Sequence, residues 1–538
     1  MEKKQTSFMD YTEGLLRRIP KFMVFVFIAS VLVFCLIHGY CMTNQFVNQD
    51  NALISSGYGG IYGSLYGSLY GGDGGLNSGR FLLGAVSSLS SNYTMPWLIG
   101  LLSAVYFGFS MCAVVRLFDI KHRLSAVLAA VVIASFPTAC STMSYMYTAD
   151  AYFFALMLVS FGALLAFKYK YGWIGAAFLF AASLGIYQAY FCFGASLLVF
   201  ALLLLFVREE LPAKEMIMRC LRCFISLAAA LVIYKLVLDL LLKINNTELV
   251  NYMGLDHMWY ISVWDLKQRI KDAYSLTFKF FVIYKFFPSY VRYAYIVYIA
   301  ALAVLLISSV IKNKIYRSPV RFILIIILLL IAPLACSLIV VMCEGFHLLM
   351  IYPVVMQIAV GVAALDGVKI CDKKSAVRIL RSSVSAVLLC AVLLLSAGGI
   401  VVTNKAYLKM DVVFKTSYAF CLKLMGRIEM TEGYEVGMPV ALIGNVGEEN
   451  RPTQVPEMRE LDNLTGIPTE YTLIGRRVIP AICKYYIGDG LELADVKDFV
   501  MISSSPEFAE MNIYPYENSI RVINGVMTVK LGEPAEKE

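Results

Sequence analysis

Two charges frame a stretch near the start of this 538-residue chain, Asp50 in VNQDN and Arg80 in NSGRF. A carboxylate can take a proton from a hydroxyl, and a guanidinium can grip a phosphate through two parallel N–H donors. On type and spacing alone, each is equally readable as a solvated loop charge. Between them lie glycines and Tyr58, Tyr62, Tyr66 and Tyr70. That spacing would align the tyrosines on one helical face, but each interior glycine disfavours a helix by about 1 kcal/mol. The YGSL repeat therefore reads in two ways. It is a solvated low-complexity expansion, or a flap of amphipathic rings at lipid headgroups or over a sugar.

The elements that must position these residues follow from composition. The chain is 59% hydrophobic and only 16% charged, with a mean hydropathy of +0.71, against the roughly 25% charged residues of soluble domains. A polytopic membrane protein is the class this implies. Crossing a bilayer takes about 20 apolar residues, and eleven such segments can be read near 22–42, 96–115, 124–140, 149–167, 173–190, 191–207, 223–243, 289–311, 322–342, 349–366 and 383–403. The first is too long, and too rich in Phe and Val, for a cleaved leader, and reads as a retained helix.

Lysine and arginine then orient the chain. Arg17, Arg18 and Lys21 precede the first segment, and every second short loop repeats the enrichment: Arg116, Lys121 and Arg123; Lys168 and Lys170; Arg208 to Arg222; Lys312 to Arg321; Lys369 to Arg381. The short loops between carry neither residue. Positive charge marks the cytoplasmic side, so the amino terminus is expected inside and residues 404–538 outside. The net charge of +8 is then a topology signal, and nucleic acid is not a partner. Thirteen cysteines and four histidines show no metal-ligand spacing; Cys220 and Cys223 stand without a second pair.

The order of several short motifs resembles one family. These are VNQDN just after the first helix, NSGRF before the second, MYTADAYFFALML opening the fourth and LGIYQAYFCF at a tight outer turn, with MNIYPYENSIRVINGVMTVKL near the end. Together they resemble the bacterial glucosyltransferase type II family, the O-antigen serotype-converting type of GT-C membrane glycosyltransferase. The resemblance implies a GT-C-like bundle at residues 1–403. Within it lie a first extracytoplasmic loop at 43–95 and an amphipathic segment at 245–288. It also implies transfer of a hexose, glucose in that family, from a polyprenyl-phosphate donor to a surface glycan at the outer face of a bacterial cytoplasmic membrane. No nucleotide reaches that face, which agrees with the lack of a phosphate-cradling glycine loop.

Under that resemblance Asp50 is the candidate base and Asp150 the alternative. Arg80 and His347 are candidates for the donor phosphate, and Tyr147, Tyr187, Gln188 and Glu344 for sugar or acceptor hydroxyls. No cofactor is assigned, with a divalent cation left open. The single acid in Gln49-Asp50, where that family often pairs two, keeps a catalytically inactive glycan-binding relative as an alternative. A lipid-linked sugar transporter or flippase is a second alternative, although its charges would be expected near mid-membrane. Trp259, Trp264, Lys267 and Lys271 suggest a helix lying among lipid headgroups. Residues 404–538 read as a small α/β domain, with helical periodicity from Tyr407, a strand in MPVALIGNV and a type I′ hairpin at Asn524-Gly525. Cys421 and Cys483 lie outside and could pair.

Overall fold

The computed structural model describes residues 9, 14, 17–45, 47–55, 75–90, 94–250, 263–343, 345–368, 376–447, 456–469 and 471–534. The tyrosine repeat, Trp259 and Glu344 lie outside them, as does the side chain of Trp264. Helices that recur below are α1 (Lys21–Thr43), α2 (Gln49–Ser55), α3 (Arg123–Ala134), α4 (Pro137–Ser144), α5 (Met146–Lys168), α6 (Val263–Ile283) and α7 (Ala376–Glu429).

Among the described residues nine helices are long and apolar enough to cross a membrane, or ten if one bent pair counts as a single span. Mostly helical and polytopic, this is the architecture the composition implies. Four of the eleven expected segments differ in form: the one near 322–342 breaks at Ser337, the one near 349–366 starts as the 3-10 helix Leu348–Val355, and two others depart further. The segment near 124–140 is the bent pair, α3 and α4, which meet at 55°. Pro137 opens α4; proline has no N–H to continue the ladder and clashes with the preceding turn, so the helix restarts in a new direction. The segment near 173–190 becomes Gly172–Ile186, 15 residues long. At 1.5 Å per residue that is about 22 Å, short of the hydrocarbon core. It stops because Tyr187 takes an extended backbone, φ −158°.

The last apolar segment does not end where its hydropathy does. Helix α7 runs 54 residues without a break, about 80 Å, so residues 403 and 404 are neighbours within one turn of a single rod. No proline interrupts it, and two of its three glycines, Gly398 and Gly399, serve close packing. A Cβ at Gly398 would meet Val291 at 2.3 Å and one at Gly399 would meet the Ser135 carbonyl oxygen at 2.2 Å, so α7 lies against the α3–α4 break as small residues allow in membranes.

At the end of the bundle that carries the basic loops, polar side chains tie helix termini together. Arg208 donates to Phe118 O at 2.7 Å and also to Ala363 O. Asp366 accepts the N–H groups of Lys121 and His122 at 2.8 and 3.1 Å, and Arg321 donates to Phe206 O at 2.6 Å.

At the other end, the far half of α7 meets a three-stranded sheet of order β1-β3-β2, where β1 is Val440–Ile443, β2 Ile520–Ile523 and β3 Val526–Lys530. Strand β1 runs parallel to β3 and β2 antiparallel. Asn524 and Gly525 both have positive φ, 52° and 78°, as a two-residue type I′ hairpin requires. Met527 and Val529 of β3 pack on Phe420, Leu424 and Ile428 of α7, and the same cluster takes in Val47 and Ala52, which flank Asp50. The exchange is mutual, since Leu461, Leu464 and Ile467 belong to the core of the helix bundle.

Candidate functional site

Asp50 sits in the first turn of α2, a helix held by asparagines. Asn48 accepts the Asn51 N–H at 2.9 Å, the bond of an N-cap residue to the third helical position. The amides of Asn48 and Asn51 also donate to one acceptor, the Ser144 carbonyl, at 3.1 and 3.0 Å. Both asparagines are buried while Asp50 between them remains accessible. The helix carrying the carboxylate therefore hangs from the end of α4.

Arg80 leaves a 3-10 turn, Leu76–Ser78, through Gly79 at φ 71°. Only glycine fits there: a Cβ would lie 2.4 Å from the Tyr234 hydroxyl and 2.8 Å from the Gln188 amide nitrogen. Those two groups grip the turn, Tyr234 donating to Gly79 O at 3.0 Å and Gln188 to Ser78 O at 2.9 Å. The Arg80 guanidinium lies 4.9 Å over the ring of Tyr187, which stacks in turn on Tyr152 at 4.4 Å. A cation held over an aromatic face is attracted by the ring's negative face, which helps to fix its position.

His347 precedes the 3-10 helix Leu348–Val355. Its electrostatic neighbours are Arg80 and Asp50, so segments far apart in sequence bring both charges within electrostatic range of this imidazole. Burial and then the Arg80 charge lower the imidazole below its usual range, while Asp50 opposes them. The protein packed around Asp50 lifts its carboxyl above the ordinary carboxylate range, and His347 pulls it down. The arrangement is a carboxyl held above its ordinary range, an imidazole held below its own, and a guanidinium.

The remaining sequence candidates are placed differently. Asp150, 1% exposed, lies in the first turns of α5, accepts the Ala151 N–H at 2.9 Å and has Ser90 and Tyr106 as neighbours. Tyr187 is buried beneath Arg80, and Gln188 is committed to the turn that Arg80 leaves. Tyr147 is half-buried and meets Tyr145 edge-on at 6.5 Å. The expected amphipathic segment contains α6, which packs Ala273, Thr277 and Phe280 inward and exposes Lys267, Lys271 and Phe278. Among the described residues no three His, Cys, Asp or Glu side chains converge.

Four residues that support the site were not singled out from the sequence: Asn48, Asn51, Tyr234 and Thr465, whose hydroxyl oxygen accepts the Leu348 N–H. Asn48 and Asn51 were in view within VNQDN, and an Asn three residues before another Asn is an N-cap signal. Tyr234 and Thr465 had none, because nothing local marks a side chain whose partner is more than a hundred residues away.

The sequence pattern described as Glucosyl transferase GtrII matches residues 39–362, more than half of the chain. The chain belongs to the GtrII glucosyl transferase family. No curated protein and no solved structure matches it. As a GtrII member it is a glucosyl transferase, and its apolar helices make it a multi-pass membrane one. The match takes in Asp50, Arg80, Asp150, Gln188 and His347 and stops before α7, so the GtrII pattern leaves out the elements that pack against α2.

Proposed function

We propose that this GtrII glucosyl transferase takes glucose from a polyprenyl-phosphate carrier at the extracytoplasmic face of the membrane and joins it to a hydroxyl of a surface glycan. The observation that carries the reading is the convergence of Asp50, Arg80 and His347 at the end of the bundle opposite the lysine- and arginine-rich loops. An acid, a fork of donors and a neutral imidazole are the groups that a single displacement needs. The acceptor hydroxyl attacks the anomeric carbon and its proton passes to the Asp50 carboxylate. The bond from that carbon to the phosphate oxygen breaks, and its electron pair leaves with the lipid phosphate. Arg80 meets the charge that develops there, and His347 donates a hydrogen bond beside it. Direct displacement inverts the anomeric centre.

The carrier must reach this end through lipid, and a phosphate at headgroup depth lies level with charges that α2 and the Arg80 turn hold at the rim. The break between α3 and α4 is a feature transporters share, but it lies inside the GtrII match and so belongs to the transferase scaffold.

Asp50→Asn tests the reading in membranes supplied with polyprenyl-phosphate glucose and acceptor. Shape and hydrogen bonding survive while basicity is lost, so transfer should fall about 10²- to 10⁴-fold with donor binding retained. Near-normal transfer would remove Asp50 from the role and leave Asp150 as the carboxylate to examine.

A further inference from the structure

Residues 456–467 follow the last apolar helix and lie beyond the GtrII match, yet they reach back into the bundle. Leu461, Leu464 and Ile467 are buried in its core, where removal of apolar side chains from water favours the docked position. Lys409 of α7, 1% exposed, pairs with Asp462 of the segment and donates to Met458 O at 3.2 Å. The segment is thus seated by apolar contacts on one side and a buried cation on the other.

The next two residues touch both halves of the candidate site. Thr465 Oγ1 accepts the N–H of Leu348 at 2.9 Å. Leu348 opens the 3-10 helix that His347 precedes, and its N–H is one of the donors a helix start leaves unbonded. Gly466 has φ 85°, and a Cβ there would lie 1.9 Å from Ser144 Oγ and 2.7 Å from the Tyr145 ring. Ser144 is the residue from which both Asn48 and Asn51 suspend α2. One dipeptide therefore abuts the loop of His347 and the end of α4 from which the helix of Asp50 hangs.

We infer that Thr465 and Gly466 form a wedge that sets the position of His347 relative to Asp50, and that both are positioning residues for glucosyl transfer. The inference rests on the reading of Asp50, Arg80 and His347 given above. It means that the site is completed by a segment from outside the family pattern.

Two properties follow from the geometry. The hydroxyl of Thr465 acts through its oxygen, so a side chain with the oxygen should suffice and an isostere without it should not. Asp50 and His347, with the Arg80 charge beside them, titrate in one another's field, so a change in their spacing moves the pH–rate profile. Loss of folded protein alone lowers the amplitude and leaves the profile in place.

The test uses the full-length protein in membranes, with rates corrected for the inserted amount. Thr465→Val should lower kcat about 3- to 10-fold, the scale of one lost hydrogen bond, with the donor KM within two-fold and the pH profile displaced. Thr465→Ser should restore both. Gly466→Ala, which keeps Thr465 and drives a methyl into Ser144, should displace the profile as well and serves if Thr465→Val inserts poorly. A Thr465→Val enzyme with unchanged kcat would overturn the wedge. So would a lowered kcat with an unmoved profile, or a Gly466→Ala enzyme whose profile is unmoved. Asp50→Asn separates the two readings. If that variant stays active while the valine and serine variants still differ, the base assignment fails and the wedge acts on another group.

Discussion

Asp50 combines an accessible position with a crowded surrounding, and the combination makes opposite demands on stability and on rate. Its carboxyl is raised in the folded protein by burial, only partly offset by His347. A folded pKa above the unfolded one favours the protonated form, so the stability it contributes is present in acid and is lost as pH rises through the folded value. Asp50→Asn should therefore unfold at a higher temperature than the parent at neutral pH, with the gap closing in acid. Thermal unfolding in detergent at the two pH values checks this; an equal gap at both would show that crowding at Asp50 has no energetic consequence. Transfer runs the other way. A base must be ionised, so the rate should fall with falling pH at a higher value than the ordinary aspartate range near ~4. Stability and activity then have different optima because the same carboxylate must be charged for one and is better neutral for the other.

At the scale of elements, the position of the carboxylate is inherited from the α3–α4 break. Pro137 ends one helix direction and starts another, which brings the Ser144 carbonyl under Asn48 and Asn51. Helix α7 holds that break from the side, where the Ser135 carbonyl lies 2.2 Å from the place of a Gly399 Cβ. Gly399→Ala puts a methyl against backbone that has no rotamer to yield. Overpacking of this kind costs about 1–3 kcal/mol, so the variant should unfold several degrees below the parent and lose transfer without contacting the site. Gly426→Ala, at a glycine of the same helix with nothing within 4 Å of the added carbon, is the control. Equal behaviour of the two would show that the close approach is not needed.

At the scale of the whole molecule, the proposed reaction depends on which end faces outward. Ser318 follows the short helix Ile315–Arg317 at the basic end, and Ser503 closes the helix Val496–Ser503 that accompanies the sheet. A membrane-impermeant thiol reagent should label Ser503→Cys in intact cells above the background of the native cysteines, and should label Ser318→Cys only after permeabilisation. The reverse pattern would put the site on the cytoplasmic side and remove the lipid-phosphate donor from the mechanism.

What the sequence alone determined is whatever depends on local composition. Runs of apolar residues in lipid favour helices because no water is there to satisfy the backbone, and all eleven expected segments correspond to helical stretches, although one is bent, one is short, one breaks at Ser337 and one begins as a 3-10 helix. The Asn524-Gly525 hairpin was legible for the same reason, since positive φ at two successive residues selects those types. Asp50, Arg80 and His347 could be singled out because charged or titratable residues are few in so apolar a chain. Their proximity could not be read, because it places residues 50 and 80 within electrostatic range of residue 347, which no periodicity encodes. Hydropathy ends the last span near 403, but α7 continues, because a helix stops at a breaker or a cap and not where its apolar face runs out. Only the tertiary structure decided that Gln188 and Tyr187 support Arg80, and that Thr465 and Gly466 lie between the two halves of the site. Those roles come from close packing between segments hundreds of residues apart, where a hydroxyl or a missing Cβ matters only for the neighbour it meets.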